Sequence, residues 1–444
     1  MRSPYLPNTD DDRQAMLDAI GVSTVEELYT DIPAELHNAK FDLPSPLSEL
    51  ELKKALRQLA DQNTNLDNNA CFLGAGSYRH YIPSVVDHIV NRSDFYTAYT
   101  PYQPEVSQGT LQSVYEYQSL ACQLTGMDVS NAGMYDGSTA AAEAGIMASV
   151  LTKRKKVSVL ETVNPAYQDV LKTYIEGRNL DFETIGKKSQ ISPDSACLII
   201  QHPNFFGCFE DIGPLVKQAH NNGALFVSIF DPISLGMFKP PAAYEIDIAV
   251  AEGQPLGIPV AFGGPYLGMF ACRKDFLRFM PGRIIGKTVD VNGRTGYVMT
   301  MVTREQYIRR EKAISNICTS EALMALAAAV YLTAMGKRGL KQIAELCYHK
   351  AHYAADAINK LKGYSLVFQE PFFKEFAIRC PIAPAKINEA LLKESIIGGL
   401  DISHIIDNTM LLCITELNSK QEIDKLTEIL RKQGDNKDES PSTS

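Results

Sequence analysis

The chain has 444 residues, 45% of them hydrophobic and 21% charged, with a formal net charge of −9. That is the composition of a globular protein with room for one large domain and a smaller companion. The acidic balance argues against a nucleic-acid or anionic-membrane surface as the main partner. No apolar run reaches the ~18 residues of a membrane span, and the opening MRSPYLPNTDDDRQ lacks the apolar core of a signal peptide. A cytoplasmic protein is expected.

Thr9 followed by Asp10, Asp11 and Asp12 makes a helix start that suits the N-terminal dipole, and Ser45-Pro46 leads into an amphipathic helix over 47–59. Residues 1–70 thus read as an arm of short helices without chemistry. From Cys71 the texture changes to CFLGAGSYRHYIP and then FYTAYTPYQPEVSQGT. Rich in Gly, Pro, Tyr and Gln, this segment reads as a long functional loop, or else as an irregular surface loop. A helix over 110–125 follows, closed by Gly126.

Residues 131–145, NAGMYDGSTAAAEAG, form a glycine-containing turn that runs into an alanine-rich helix. Gly137, Ser138 and Thr139 would place backbone N–H groups and two hydroxyls at a helix N-terminus, which is how a phosphate is held. Strands over 156–160, 181–185, 196–201 and 224–230 then alternate with helices over 165–176 and 212–221. Strands apolar throughout in such an alternation predict a parallel sheet covered on both faces. One of them stops at His202-Pro203-Asn204.

Residues 229–268, IFDPISLGMFKPPAAYEIDIAVAEGQPLGIPVAFGGPYLG, organise the rest. One strand ends at Asp231, a second (246–251) ends at Gly253-Gln254, and a glycine-rich turn opens a third. In α/β sheets functional groups collect at the carboxyl edge of the strands. This spacing resembles the pyridoxal-phosphate (PLP) enzymes of the aspartate-aminotransferase fold, fold type I. There an aspartate ends one strand and the Schiff-base lysine ends the next. Here Gln254 stands at the lysine's position, and an amide nitrogen, its lone pair delocalised, cannot form an aldimine. Lys239 lies in the connection between strands and Lys274 in a surface-like context, so no primary amine is expected beside Asp231.

Beyond it, Arg304, Arg309 and Arg310 mark a basic segment, either a solvated face or an anion site at a subunit boundary. A helix over 320–334 and a longer one after Leu340 lead to strands over 365–368, 374–379 and 410–415 with helices over 384–393 and 420–431. These predict a small α+β domain. The expected division is a helical arm (1–70), a large α/β domain (71–335), a small C-terminal domain (336–434) and a disordered tail (435–444). Nine cysteines without a Cys-x-x-Cys pair argue against disulfides or a zinc knuckle. Cys71, Cys122, Cys197, Cys272 and Cys413 read as core packing. His349 and His352, three apart on a helix without a carboxylate, read as a solvated face rather than a metal site.

Four segments in order, YTPYQPEVSQGTLQ, NAGMYDGSTA, AEGQPLGIPVAFGGPYLG and REQYIRREKAISNICT, resemble the P-protein family of the glycine cleavage system, glycine dehydrogenase (decarboxylating). The likeness is to the N-terminal, or α, branch of its split bacterial form and runs from about residue 4 to about 434. Gly133 departs from an expected serine and Tyr307 from an expected histidine. The resemblance implies a second, β subunit whose His-Lys pair carries PLP. It also implies decarboxylation of glycine with transfer of the aminomethyl group to the lipoyl arm of H-protein, and an αβ unit, as an (αβ)₂ heterotetramer. On this chain it leaves no assigned catalytic residue and no metal. Gly137, Ser138, Thr139, Asp231 and Gln254 would be vestiges of a cofactor site, and structural roles for Asp231 and Ser138 stay open. Tyr99, Tyr102, Gln103 and Gln108, with Arg304 and Arg309, are candidates for a lipoyl tunnel or partner site. Two other readings stand beside it: a self-sufficient PLP enzyme using Lys239 or Lys274, and a non-catalytic regulatory or binding protein on the same fold.

Overall fold

A computed structural model describes residues 5–37 and 42–435, and the expected tail beyond Asp435 lies outside the described residues. Asp435 itself ends the helix Lys420–Asp435, longer than the 420–431 expected.

The chain divides into two compact units, Met1–Thr64 and Asn65–Ser444. In the first, helix Asp10–Ile20 begins with a reciprocal capping box: the Thr9 hydroxyl accepts from the Asp12 N–H, and the Asp12 carboxylate accepts from the Thr9 N–H. Ser48 and Glu51 repeat the device at helix Glu49–Ala60. Satisfying the first-turn amides in this way lets short helices form with little buried surface.

The second unit opens with β1 (Ala70–Cys71). The segment expected to be one long loop carries short helices Ser84–Val90 and Ser93–Tyr96 and a 3₁₀ turn, Pro104–Val106, before helix Gln108–Thr125. The principal sheet comprises β2 (Val129–Ser130), β3 (Lys156–Leu160), β4 (Asp181–Ile185), β5 (Ser195–His202), β6 (Leu225–Phe230), β7 (Ile248–Glu252) and β8 (Gly268–Cys272). Their order across the sheet is β2-β8-β7-β6-β5-β3-β4, parallel from β7 to β4 and antiparallel where β8 meets β7 and β2. Val157, Val159, Leu198, Ile199, Phe226, Val227, Ala249 and Val250 are all fully buried. Successive residues can be apolar because helices cover both faces. Helix Gly137–Thr152 is alanine-rich for the same reason: Ala140, Ala141, Ala142 and Ala144 are fully buried against the sheet.

The register places the functional edge. His202 pairs with Phe230, and Phe230 with Ala251. The residues that follow each of these, Pro203, Asp231 and Glu252, therefore emerge on one crest, above the N-terminus of helix Gly137–Thr152.

A hairpin of β9 (Ile284–Val289) and β10 (Thr295–Thr300), not foreseen from the sequence, leads to helix Ala322–Ile358. That helix is broken at Gly336 (φ 57°, ψ −175°), where the absence of a Cβ permits the turn. Its second half joins a separate core in which Ala351, Ala354, Ala355 and Ile358 pack with Ile378, Leu412, Ile423 and Leu426. Above that core β11 (Ser365–Leu366), β12 (Glu375–Arg379), β14 (Leu400–Asp401) and β15 (Thr409–Cys413) form an antiparallel sheet in the order β11-β12-β15-β14. The remaining strand, β13 (Ile396–Ile397), reaches back to pair with β1. His352, expected on a solvated face, is instead half-buried and stacked on Phe372, with ring centroids 4.0 Å apart and planes at 1°. Cys197, Cys272 and Cys413 are buried as expected, Cys71 and Cys122 only partly.

Candidate functional site

A cleft opens at the carboxyl edge of the principal sheet. It is lined by Tyr78, Asn164, Tyr167, Asp231, Glu252 and Lys374, among others. Asp231 ends β6, and its two oxygens do different work. Oδ1 accepts from the N–H groups of Ile233 and Ser234, starting the turn Ser234–Gly236. Oδ2 meets the Nζ of Lys374 at 2.7 Å.

No lysine was expected there, and Lys374 corrects that expectation. It arrives from the C-terminal sheet, just ahead of β12, between Phe373 in the principal core and the β15 extension, whose Ile414 N–H donates to the Lys374 carbonyl. Its side chain is 2% exposed. The ammonium also sits over the Tyr78 ring, 3.6 Å from the centroid, and 3.1 Å from His80 Nε2. Burial opposes its charge most strongly, but the Asp231 carboxylate together with the neighbouring Cys413 and Cys347 sulfurs holds the lysine pKa above its ordinary value.

The polarity continues inward as a relay. With an ammonium facing Nε2, His80 is an acceptor at that nitrogen and donates from Nδ1 to Glu416 Oε2, 2.7 Å away. Glu416 Oε1 accepts from the Tyr81 N–H, and the Cys347 thiol lies 3.4 Å from Oε2. Burial, with the Lys374 charge, lowers the His80 pKa, so the ring is neutral. Among the described residues His80, Cys347 and Glu416 are close enough to share a cation. A protonated lysine on the second ring nitrogen and a thiol whose pKa burial raises speak against one. Beside the relay, Tyr78 Oη donates to Glu375 Oε2 at 2.8 Å, and Glu375 Oε1 accepts from the Ala75 N–H. Burial lifts the Glu375 carboxyl to about 7.

The expected phosphate seat is also engaged. Asp136 caps helix Gly137–Thr152, its Oδ1 accepting from the Thr139 N–H and the Ser138 hydroxyl. Glu252 Oε2 accepts from the Gly137 N–H at 3.0 Å, while its Oε1 accepts from the Gln254 and Leu267 N–H groups. Burial pushes the Glu252 carboxyl up to about 7 against those three donors. Gln254 is 1% exposed and fully bonded: Oε1 takes the Tyr78 N–H, and Nε2 donates to the carbonyls of Tyr78 and Ile258.

These residues do not fit a resident pyridoxal phosphate. A protonated pyridine nitrogen needs a carboxylate partner, and the outward oxygen of Asp231 already holds an ammonium. A phosphate needs open N–H groups at a helix N-terminus, and two carboxylates already accept there. An aldimine needs a nucleophilic amine, and Gln254, just past the end of β7, offers only an amide.

Residues 3–430 match the family described as Glycine cleavage system P-protein. The chain belongs to that family. A relative from Desulforamulus reducens, named probable glycine dehydrogenase (decarboxylating) subunit 1, is 50% identical over 95% of this chain and 98% of its own length. A crystal structure of a glycine decarboxylase (P-protein) of the glycine cleavage system, in inhibitor-bound form, superposes with a TM-score of 0.91. It is 40% identical, with 97% of this chain and all of that one covered. A C-DES variant with glycine covalently linked to its PLP cofactor shares only the fold, at 13% identity and a TM-score of 0.62, over 83% of this chain and 98% of that one. The fold is that of the PLP-dependent transferases, fold type I, as the sequence predicted.

This P-protein chain separates the partner-site candidates. Tyr99, Tyr102 and Gln103 line one open cavity. Tyr99 is exposed, and the Tyr102 hydroxyl accepts from Arg283 Nη2 at 3.3 Å. Tyr102 also meets Tyr307 edge-on, the position where histidine was expected. Gln108 turns away: its amide accepts the Tyr297 N–H and donates to the carbonyls of Tyr297 and Pro104, pinning β10. Arg304 spends its guanidinium on the carbonyls of Met280 and Gly282 and is no free anion receptor, whereas Arg309 is exposed. Lys239 and Lys274 are exposed and do not line the cleft.

Several residues of the site escaped the sequence reading. Tyr78 and His80 lie within the segment read as functional and Glu252 within the organising stretch, so a signal existed. Lys374 and Glu375 lie far along the chain in a segment that read only as strand, and Glu416 lies just past another. Arg283, buried with Thr100 and Tyr102 as hydrogen-bond partners and Glu305 as counter-ion, gave no signal.

Proposed function

We propose that this chain is subunit 1, the α subunit, of a two-subunit glycine dehydrogenase (decarboxylating). It completes the active site of a β subunit that carries PLP on a lysine. Glycine loses its carboxylate as CO₂. The carbon left behind, keeping the bonding electron pair, attacks one sulfur of the lipoyl disulfide on H-protein and leaves the other as a thiol. The pair assembles as (αβ)₂ in the cytoplasm, with residues 1–70 as a clasping arm, 71–335 as the large domain and 336–434 as the small one.

The observation that carries this reading is Gln254, whose amide stands where an aldimine-forming lysine belongs and is committed to the backbone of Tyr78. An enzyme of this family built on such a chain needs its amine from elsewhere, and relatives named subunit 1 support a second subunit. The amine in the cleft, on Lys374, is ion-paired with Asp231 and so not nucleophilic, which disfavours self-sufficient PLP chemistry. What this chain contributes is the aromatic and amide lip of Tyr99, Tyr102 and Gln103, side chains that combine contact area with hydrogen bonding, as a lipoyl arm entering a tunnel requires.

Co-expression with a lysine-bearing subunit tests the proposal. The two chains should co-purify and exchange the carboxylate carbon of glycine with bicarbonate only together; full exchange by either alone would refute it. Tyr102→Phe combined with Gln103→Ala should lower lipoyl-dependent turnover of the assembled enzyme, and unchanged turnover would remove the lip from the tunnel.

A further inference from the structure

We propose that the cleft of this chain is locked by its own side chains, with Lys374 seated on Asp231 in place of a cofactor's ring cation and Glu252 seated at the helix N-terminus in place of its phosphate. The lock excludes pyridoxal phosphate even as a non-covalent ligand, and it fastens the C-terminal sheet to the principal sheet.

Three geometric facts support it. The ammonium occupies a position with the attributes of a cofactor ring: a carboxylate at 2.7 Å, an aromatic face 3.6 Å from the nitrogen, and a neutral histidine nitrogen at 3.1 Å. A lysine at ring-width distance from Asp231 would be a Schiff-base candidate; at contact distance it replaces the ring. Glu252 presents carboxylate oxygen to the amide a phosphate would use, so the charge at the helix N-terminus is balanced from within.

The backbone around the lock has no slack. Gly207 (φ 85°) lies so close to β12 that a Cβ would fall 1.9 Å from the Glu375 carbonyl oxygen, and its own carbonyl accepts from the Phe373 N–H. Phe373, Lys374 and Glu375 are thereby held against the loop that follows β5. A buried ammonium with three partners in good geometry is stable there; the same carboxylate left alone would be costly.

The proposal shares with the functional reading the assignment of this cleft as a cofactor cradle, but its test needs no turnover. The isolated full-length chain is titrated with pyridoxal phosphate, then reduced with borohydride and mapped by peptide mass spectrometry. The expected result is no saturable shift in Tm and no label on Lys374, any trapped adduct lying on exposed lysines. In the second arm, Lys374→Ala should lower Tm by several degrees, and propylammonium should recover part of the loss where sodium chloride at equal ionic strength does not. A counter-cation role predicts that recovery, and a packing role does not. Saturable pyridoxal phosphate binding by the unaltered chain, a label on Lys374, or a Lys374→Ala loss indifferent to the amine would each overturn the proposal. Should the variant not fold, the first arm decides alone. Absent carbon exchange with a partner would instead count against the functional reading and leave the lock standing.

Discussion

The side-chain amide of Gln254 clasps the backbone of Tyr78 from both sides, accepting its N–H at 2.9 Å and donating to its carbonyl at 2.9 Å. Gln254 is therefore a structural fastener, holding the segment that carries Tyr78 and His80.

A lysine placed at position 254 should not confer binding of pyridoxal phosphate. Gln254→Lys removes the acceptor for the Tyr78 N–H, a buried donor whose loss of partner costs about 1–3 kcal/mol. The lock on Asp231 stays in place. We expect a lower urea midpoint and no absorbance near that of an internal aldimine after incubation with pyridoxal phosphate. A yellow, borohydride-bleached variant would contradict this.

Glu375 gives a pH signature. Its folded pKa is raised, to about 7 from 4.5, chiefly by burial. For a raised acid the stabilising contribution is complete below the unfolded value and is lost as pH climbs through the folded one. Glu375→Gln mimics the protonated form, because Oε1 still accepts from Ala75 and the Tyr78 hydroxyl can turn to accept from the new amide. The variant should gain on the unaltered chain between pH 5 and pH 8, by at most a few kcal/mol, on the order of 3, from that shift. Thermal denaturation across that range measures the gain, and a constant difference would show that Glu375 does not titrate there.

Gly207→Ala should be among the most damaging single-methyl changes in the chain. Its positive φ costs an alanine about 1–2 kcal/mol, and the added carbon meets the Glu375 backbone, which cannot swing away. Loss of soluble protein, or a drop on the order of 3 kcal/mol or more, is expected by chemical denaturation. A near-neutral result would mean that the loop after β5 and β12 separate easily.

Gln108→Ala should act on the hairpin. Three hydrogen bonds hold Tyr297 and Pro104, in an exposed setting worth roughly 1 kcal/mol in total. Faster hydrogen exchange at the Tyr297 amide is expected, with the cleft unaffected; unchanged exchange would deny Gln108 this role.

The legible parts of the fold were those with local causes. Strands 156–160 and 181–185 and helices 165–176 and 212–221 stand where the alternation of apolar runs placed them. The hairpin of β9 and β10 also carried a signal, the Asn292-Gly293 turn, where Asp290 accepts from the Asn292 and Arg294 amides. Asp231 and Gln254 were readable because each follows the end of a strand. Lys374 was not, because a lysine ahead of a strand in one sheet gives no sign of which carboxylate from another it will meet. The role expected of Arg304 failed for a related reason: sequence shows a charge, but only the fold shows the carbonyls of Met280 and Gly282 that absorb it.

Glu252 has a consequence for how such chains diverge. Its carboxylate is set among the amides of Gly137, Gln254 and Leu267, and Asp231 leans on an ammonium. Altering any one of these positions toward a cofactor-bearing arrangement strands a buried donor, acceptor or ion before the incoming group can reward the change. The arrangement is thus a ratchet: each single step toward a cofactor runs uphill, and only several together could open a berth for one.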